Sequence, residues 1–317
     1  MTVIPYYHCH VTRSSKASAS AAAGALLWGT LGPVAALFDT GDRIAAGGIR
    51  LAIGALVLLA AAKGRPLKGV WRRADLLPLA GGAVGIAGFQ LAYFGAIGSA
   101  GVAVSTAVGI GLSPVFTGLW TVVGNRRSPG AGWLLGTALA VGGLCLLALA
   151  QGATFSLAGL GLSVLAAAFF SLQAISIQEL TKRHDDATAL TGICGVGAML
   201  MAPVIAVTAT GNLLTWQGMT GVAYLGVVTT GMSYWLFARG IRHIGAAAAV
   251  TITLLEPAGA AVIAALFLHE ALSPAQWMGI VLIAAAIPIA GRSKKARQTK
   301  GTTEVEQREL SPSGVES

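Results

Sequence analysis

Charge is what this sequence has least of. Only 10% of its 317 residues are charged, whereas soluble globular domains carry about 25%. A water-soluble fold of this length cannot cover its surface with so few charges. Intrinsic disorder is excluded as well, because disordered chains are poor in apolar residues and this chain is 55% hydrophobic. The composition therefore indicates a polytopic membrane protein.

Cysteines and catalytic motifs are also scarce. The three cysteines are an odd number, and Cys145 and Cys194 lie inside apolar runs, so no disulfide framework is implied. The sequence has no Walker loop, no G-x-S-x-G elbow and no H-E-x-x-H motif, which are the signatures of common nucleotide and hydrolytic sites. We therefore expect no enzyme activity, no cofactor and no metal. Energy for any transport would come from an ion gradient or from the substrate gradient.

Long apolar runs dominate the sequence and predict its fold class. A membrane helix needs about 20 mainly apolar residues, because the hydrocarbon core is about 30 Å thick. The runs are continuous and rich in Leu, Ala and Gly, without the alternation that β-barrel strands need. The prediction is an all-α membrane protein with ten transmembrane helices. The ten runs are roughly 18–38, 43–62, 75–97, 101–124, 131–150, 156–179, 187–209, 217–238, 245–268 and 274–291.

The distribution of positive charge predicts the orientation of these helices. With a cytoplasmic N-terminus, 19 of the 21 basic residues fall in cytoplasmic segments, and only Arg43 and Arg50 fall on the outer side. Positive residues favour the cytoplasmic side, so both termini are predicted to be cytoplasmic. The net charge of +9 is thereby explained as a topology signal, and nucleic acid is not an expected partner.

The second half of the chain repeats the first with an offset near 143 residues. Pro114 in span four matches Pro257 in span nine, and Trp133 after span four corresponds to Trp277 after span nine. Each half has five spans, an odd number, so the two five-helix repeats are predicted to be inverted, as in many secondary transporters. The predicted segments are an N-terminal cytoplasmic tail (1–17), two repeats (18–150 and 156–291) and a disordered basic cytoplasmic tail (292–317).

These features resemble one known family. The chain is similar to drug/metabolite transporters of the EamA type, and the resemblance covers about 18–291. The residues that carry it are Trp28-Gly29-Thr30, Arg50, Glu256-Pro257 and Glu270-Ala271-Leu272-Ser273. The resemblance implies two tandem five-helix repeats, the bacterial cytoplasmic (inner) membrane, and movement of amino acids, drugs or other small metabolites, mostly outward. This chain has Ser113 where the second repeat has Glu256.

Glu256 is the strongest candidate for a working residue. It lies near the middle of its span, where a charge costs at least about 2.5 kcal/mol, so it must face the bundle interior, find a partner or become neutral. Pro257 cannot donate a backbone hydrogen bond, so the carbonyl of Thr253 is predicted to lack its usual intrahelical donor, which a protonated Glu256 or water could replace. Helix kinks are predicted at Pro257 and at Pro114. Two interpretations remain open: a proton or substrate site at the midplane, or a conformational clamp at the kink.

Arg50 is the second charge inside a predicted span. A long arginine side chain can extend to the membrane interface, and that interpretation stands beside two functional ones. Arg50 could pair with Glu256, or it could attract an anionic group of a substrate.

Several polar side chains are candidates for a cavity lining, because substrate cavities combine apolar walls with a few polar groups. Simple helix packing with interhelical hydrogen bonds is the alternative for all of them. Four tryptophans near span ends, Trp71, Trp133, Trp216 and Trp277, are predicted to be interface anchors. The lining candidates are Gln90 and Tyr93 in span three, Thr230, Ser233 and Tyr234 in span eight, Gln173 and Ser176 in span six, Trp28 and Thr30 in span one, and Ser113 in span four.

Together these patterns predict a secondary transporter that exports small metabolites by alternating access. Proton antiport would fit the lone Glu256, and facilitated diffusion would fit the missing second carboxylate. A non-transporting membrane assembly subunit is the alternative of a different class. The expected partners are a small-molecule substrate, the lipid bilayer and, under antiport, protons. Small-residue faces could serve packing within a monomer or between the chains of a homodimer.

Overall fold

A computed structural model of the chain describes residues 4–35, 37–63, 67–124, 126, 130–149, 156–267 and 272–290. The predicted C-terminal tail and Glu270-Ala271 lie outside these residues. Within them every regular element is helical. The α-helices are α1 (Ile4–Trp28), α2 (Leu31–Ala35), α3 (Thr40–Ala61), α4 (Arg73–Gly109), α5 (Ser113–Val123), α6 (Ala131–Leu149), α7 (Leu157–Thr181), α8 (Asp186–Thr208), α9 (Trp216–Tyr224), α10 (Ser233–Ile244), α11 (Ala246–Ile252), α12 (Leu255–Phe267) and α13 (Pro274–Ala290).

Eight stretches of the described residues are long and apolar enough to cross a membrane. They correspond to predicted spans two to nine. The helix α13 is apolar but shorter, and α1 begins at Ile4, in a polar segment, and ends at Trp28 before a break at Gly29-Thr30. The eight stretches are Gly41–Ala61, Arg73–Val102, Val104–Val123, Ala131–Leu149, Leu157–Thr181, Asp186–Thr208, Trp216–Ile244 and Ala246–Ile263.

The stretch between α9 and α10 is a π-helix, Leu225–Met232. It joins the two α-helices into one element, Trp216–Ile244, that is longer than the predicted span 217–238. Segments of π-helix are rare and occur frequently at functional sites. This one carries Thr229 and Thr230, both fully buried.

Helices from the two halves of the chain pack against each other in antiparallel pairs. The pairs are α1 with α10, α3 with α8, α4 with α7, and α6 with α13. In each pair, a later position on one helix meets an earlier position on the other. The contacts that establish the directions are Ser20–Leu236 and Trp28–Thr229, Gly41–Thr208 and Gly48–Met201, Gly81–Ser176 and Gly95–Leu162, and Gly136–Ala290 and Gly143–Gly279.

Glycine permits the closest of these approaches. A Cβ atom on Gly143 would lie 2.5 Å from the carbonyl oxygen of Gly279, and a Cβ atom on Gly279 would lie 2.5 Å from the carbonyl oxygen of Gly143. The backbones of α6 and α13 therefore touch at this crossing. Small residues allow such contact between membrane helices, so any side chain here would force the two helices apart.

Two matching positions in the halves share an unusual backbone conformation. Gly101 has φ 75° and ψ 168°, and Gly245 has φ 85° and ψ 161°. Residues with a side chain rarely adopt this region. Gly101 ends the membrane-crossing part of α4 and starts the next stretch, and Gly245 does the same between α10 and α11. The two halves of the chain therefore share this backbone conformation at matching positions, in agreement with the internal repeat in the sequence.

One tryptophan was wrongly predicted to be an interface anchor. The side chain of Trp133 is buried, and its Nε1 donates a hydrogen bond to the carbonyl oxygen of Ala247 at 3.2 Å. A tryptophan near a span end can satisfy its indole N–H inside the bundle instead of at the membrane interface, and here the absence of a side chain at Gly118 makes room for the ring. Trp71, Trp216 and Trp277 are exposed.

Candidate functional site

Glu256 lies in the first turn of α12, just after a helix break. The helix α11 ends at Ile252, a turn at Thr253-Leu254 follows, and α12 begins at Leu255. The backbone N–H of Glu256 donates to the carbonyl oxygen of Thr253 at 2.9 Å. Pro257 cannot supply the usual donor to the Thr253 carbonyl, as expected, and a tighter turn supplies the N–H of Glu256 in its place. Pro257 occupies the first helical turn, where its missing N–H is harmless.

The first half of the chain has the same break with different side-chain chemistry. The backbone N–H of Ser113 donates to the carbonyl oxygen of Ile110 at 3.2 Å, and α5 begins there with Pro114 in its first turn. The Ser113 hydroxyl is buried and donates to the carbonyl oxygen of Gly109 at 2.8 Å. Ser113 therefore does not line the cavity described next, and the two breaks differ by one carboxylate.

A cavity of about 370 Å³ contains Glu256 in its wall. Of the residues predicted from sequence, Trp28, Tyr93, Glu256 and Pro257 line it. Its walls come from both halves of the chain and are largely apolar. The other lining residues are Gly29, Leu31, Gly32, Pro33, Ala35, Arg43, Phe94, Ile97, Val102, Thr106, Leu144, Leu147, Ala148, Ala260, Ala261, Leu272 and Gln276.

Trp28 connects this cavity to a buried polar layer behind it. Its Nε1 donates to the backbone carbonyl oxygen of Thr229 in the π-helix at 2.8 Å. Its ring lies edge-on to Tyr234, with 4.9 Å between ring centroids, and packs against Phe170 and Phe237. Aromatic contacts of this kind contribute about 0.5–1.5 kcal/mol beyond area burial. Trp28 is therefore a rigid part of the cavity wall.

Arg50 belongs to the buried layer and does not extend to an interface. The residue is 3% exposed, and its Nη1 donates to the hydroxyls of Thr229 and Thr230 at 3.3 and 3.4 Å. Its Nε is buried and has no hydrogen-bond partner among the residues that the structure describes. Arg50 and Glu256 are near enough to attract each other electrostatically, but no ion pair joins them among the described residues. The interpretation of Arg50 as a snorkelling residue is therefore wrong.

Gln173 and Tyr234 form a second part of this layer. The Gln173 Nε2 donates to the Tyr234 hydroxyl at 3.0 Å, and the buried Gln173 Oε1 accepts no hydrogen bond within the described part of the chain. Buried polar atoms in folded proteins are nearly always bonded, so each exception needs an explanation. Among the buried side chains that the structure describes, one donor, on Arg50, and one acceptor, on Gln173, therefore lack a partner.

The remaining candidates make hydrogen bonds within or between helices, and none of them lines the cavity. Gln90 donates to the carbonyl oxygen of Gly47 at 3.0 Å, which joins α4 to α3. The cavity residue Tyr93 shares a 2.7 Å hydrogen bond with Thr106. The others bond or pack as follows: Thr30 with Leu27 and Tyr224, Thr230 with Leu225, Ser233 with Val228, and Ser176 against Gly81.

One end of the bundle is closed by a set of ion pairs that the sequence did not predict. We call Asp75, Arg183, His184, Asp186 and Arg242 the polar clamp. The Asp75 carboxylate accepts from Arg183 Nη1 at 2.7 Å and lies 3.1 Å from His184 Nε2. Arg242 Nη1 lies 3.3 Å from the Asp186 carboxylate. The clamp joins the start of α4, the turn between α7 and α8, and the end of α10.

The cavity approaches the opposite end of the bundle. Arg43, in the first turn of α3, and Gln276, in the first turn of α13, are among its lining residues. Nearby, Asp42 accepts hydrogen bonds from the backbone N–H and the hydroxyl of Thr210, at 2.8 and 2.7 Å. Sequence reasoning missed Arg43 and Gln276 because both lie close to the ends of apolar runs, where polar residues are unremarkable.

Comparison with known proteins assigns this chain to a family of transporters. The model of the EamA-like transporter family matches twice, at residues 15–149 and 157–291. The uncharacterized transporter YwfM of Bacillus subtilis is 31% identical over 286 residues, which cover 87% of this chain and 93% of YwfM. The threonine/homoserine exporter RhtA of Escherichia coli K12 is 28% identical over 242 residues, 75% of this chain and 78% of RhtA.

A solved crystal structure supports the same fold. It superposes with a TM-score of 0.75 and covers 87% of this chain and 96% of the matched chain, at 18% sequence identity. At that identity the likeness concerns the fold. The two family matches together span most of the sequence, and eight described stretches are apolar enough to cross a membrane. This chain is a multi-pass membrane protein and belongs to the EamA-like transporter family.

Proposed function

We propose that this chain is a secondary transporter that exports small metabolites, amino acids or related compounds, across the bacterial cytoplasmic membrane. The observation that carries the proposal is Glu256, a carboxylate at the middle of a membrane stretch and in the wall of a cavity. A charged group in such a place is costly, so ionisable residues there are rare and usually mark a functional site. The exporter activity named for the relative RhtA supports the direction and the substrate class.

Alternating access would arise from two inverted five-helix repeats. The ten spans would be the eight apolar stretches together with the short helix α13 and the broken helix α1–α2. The antiparallel pairing of α3 with α8 supports this arrangement. These two helices occupy equivalent positions in the two repeats. Because they run antiparallel, the repeats must be related by an axis perpendicular to the helices, which inverts one repeat relative to the other. The shared conformation of Gly101 and Gly245 supports it independently.

The polar clamp would close the cytoplasmic side of the transporter. The predicted orientation puts the turns that hold Arg183 and Arg242 in the cytoplasm, because basic residues favour that side. The cavity that contains Glu256 then belongs to an outward-facing state. Export requires an inward-facing state as well, in which the clamp opens and Glu256 becomes accessible from the cytoplasm.

Proton antiport is the coupling mode that the site favours. Glu256 is the one carboxylate among the cavity-lining residues that the structure describes, and a single carboxylate can carry a proton in one direction and bind an ammonium group in the other. Facilitated diffusion is the second candidate, because Ser113 replaces the equivalent carboxylate in the first half and bonds to its own helix.

Counterflow in proteoliposomes tests the proposal. Vesicles are loaded with unlabelled amino acids, organic cations or nucleotides, and entry of labelled L-threonine or another panel member is followed with and without a pH gradient. We expect accelerated amino-acid flux that responds to the gradient, and loss of that response in Glu256→Gln. The matched control is Glu179→Gln, which makes the same chemical change in an exposed pair with Lys182.

Each alternative gives a different result in this assay. If flux through the wild-type protein is the same with and without the pH gradient, the protein is a facilitator. Full retention of rate and gradient response in Glu256→Gln would leave Glu256 a structural residue at the helix break. Absence of flux for every compound would favour a membrane protein that does not transport.

A further inference from the structure

Arg43 is a cation held in place at the wall of the cavity that contains Glu256. Its Nε donates to the carbonyl oxygens of Ala35 and Phe38, at 3.0 and 2.7 Å. Ala35 is the last residue of α2 and Phe38 follows it in the chain, so the two carbonyl oxygens hold the arginine stem at the end of α2. The two terminal nitrogens make no hydrogen bond to any residue that the structure describes, and Arg43 lines the cavity.

The charge pattern of the whole chain makes Arg43 an exception. Of the 21 basic residues, 19 lie in segments predicted to be cytoplasmic, which is the side that positive charge favours. Arg50 is sealed behind Trp28 and bonded to two threonine hydroxyls. Arg43 therefore remains as the one cation in the cavity wall among the described residues, and helix capping alone does not require a charge.

The cavity thus offers two groups of opposite charge between apolar walls. A guanidinium with free terminal nitrogens binds a carboxylate through two parallel hydrogen bonds. Glu256 complements an ammonium group. A simple organic cation would be attracted by Glu256 and repelled by Arg43, whereas a molecule that carries both charges would satisfy the whole cavity.

We propose that Arg43 is the carboxylate-binding residue of the cavity and selects amino acids over the corresponding amides and amines. This inference rests on the proposed transport function and adds the feature of the substrate that is recognised. The apolar wall, which includes Phe94, Ile97 and Leu144, would receive the substrate side chain and set a looser preference among amino acids.

Two substitutions separate the charge of Arg43 from its contact with α2. Arg43→Gln keeps an N–H donor for the carbonyl oxygens of Ala35 and Phe38 and removes the charge. Arg43→Lys keeps the charge and removes the fork. The measurement is the ratio of counterflow rates for labelled L-threonine and labelled L-threoninamide, because a ratio cancels differences in expression and folding.

We expect the wild type to prefer threonine by about tenfold or more, since hydrogen bonds to charged groups are the strong ones. Arg43→Gln should bring the ratio close to one, and Arg43→Lys should keep most of the preference. An unchanged ratio in Arg43→Gln would overturn the assignment, because a residue that only caps α2 would leave the preference intact.

Thermal stabilisation of the detergent-solubilised protein by the same two compounds separates this inference from the proposed function. Stabilisation by threonine that disappears in Arg43→Gln, without any flux in the wild type, would support Arg43 as a carboxylate site and reject transport. Flux of threonine and threoninamide at equal rates in the wild type would reject Arg43 as a selective residue and leave transport standing. If neither compound is transported and neither stabilises the protein, both proposals are rejected.

Discussion

Neutralising Asp75 should loosen the polar clamp without unfolding the protein. The Asp75 side chain is 4% exposed and touches Arg183 and His184, which belong to the turn between α7 and α8. Asp75→Asn keeps the shape of the side chain and one hydrogen-bond acceptor but removes its charge. The substitution therefore weakens both contacts and leaves the packing of α4 unchanged.

The size of the effect follows from the geometry. A hydrogen bond to a charged group contributes about 1.5–3 kcal/mol, but the Arg183 side chain is 55% exposed and solvent screens its pair. Exposed ion pairs are worth about 0.2–1 kcal/mol. Allowing for the buried partner, we expect Asp75→Asn to lower the free energy of clamp opening by about 1–2 kcal/mol, which is a factor of about 5–30 in the open population.

Hydrogen exchange in lipid nanodiscs measures that population directly. The backbone N–H groups of Arg183 and His184 bond to the carbonyl oxygen of Leu180, so their exchange reports opening of the turn. The predicted acceleration in Asp75→Asn is about 5–30-fold. The control is Glu179→Gln, whose pair with Lys182 is exposed on both sides and should change exchange by less than about twofold.

Equal exchange in Asp75→Asn and in Glu179→Gln would refute this reasoning. It would mean that Asp75 contributes no more than a surface pair despite its burial. A global increase in exchange, spread over α4 and α7, would refute it in another way, because the Asp75 charge would then be needed for the fold instead of the clamp.

Two further predictions concern packing. Gly143→Ala puts a Cβ 2.5 Å from the carbonyl oxygen of Gly279 and should lower the free energy of unfolding by about 1–3 kcal/mol in thermal melts, while Gly142→Ala, which meets nothing within 4 Å, should not destabilise. Trp28→Phe removes the indole N–H that donates to the Thr229 carbonyl oxygen and part of the ring that packs against Tyr234, and it should cost about 1–3 kcal/mol, whereas Trp216→Phe at an exposed ring should be neutral. Similar melting of either variant and its control would contradict the contact concerned.

Apolar run length predicted the helices well and their ends poorly. Spans two to nine coincide with the eight apolar stretches, because burying a backbone in lipid requires helix over the whole run. The element Trp216–Ile244 is longer than its run, since a helix can continue into water through residues such as Arg239 and Arg242 that hydropathy reads as a loop. The break at Gly29-Thr30 has no hydropathy signal.

Residue type predicted part of the cavity, and geometry decided the rest. Glu256 was identifiable because an ionisable group at membrane depth is costly and therefore rare, and Trp28 because substrate cavities combine apolar walls with a few polar groups. Gln90 and Thr230 are also polar side chains at membrane depth, but their hydrogen bonds join neighbouring helices and they do not line the cavity. Sequence spacing assigns residues to a face of one helix, and only packing decides whether that face meets a neighbour or an open space.

The polar clamp was not predicted from the sequence either, because its members are far apart along the chain. Asp75 and Arg183 are 108 positions apart, and in the sequence each is simply a charge beside a membrane run. Arg43 was missed for the same reason. Charges at run ends predict topology, and their pairings depend on how the helices assemble.

The glycine contact between α6 and α13 has a mechanical consequence. The two backbones touch at the crossing without a Cβ between them, and Leu147, Leu282 and Ile283 pack beside the contact. Rotation of one helix on the other is therefore opposed at the crossing by these flanking side chains alone, while the far ends of the helices move most. For a helix arm of about seven residues, which is about 10 Å long, a tilt of about 15° displaces the end by about 2.6 Å. We therefore expect the crossing of Gly143 and Gly279 to be the pivot of any rotation of α6 on α13, with the largest displacements at the ends of the two helices.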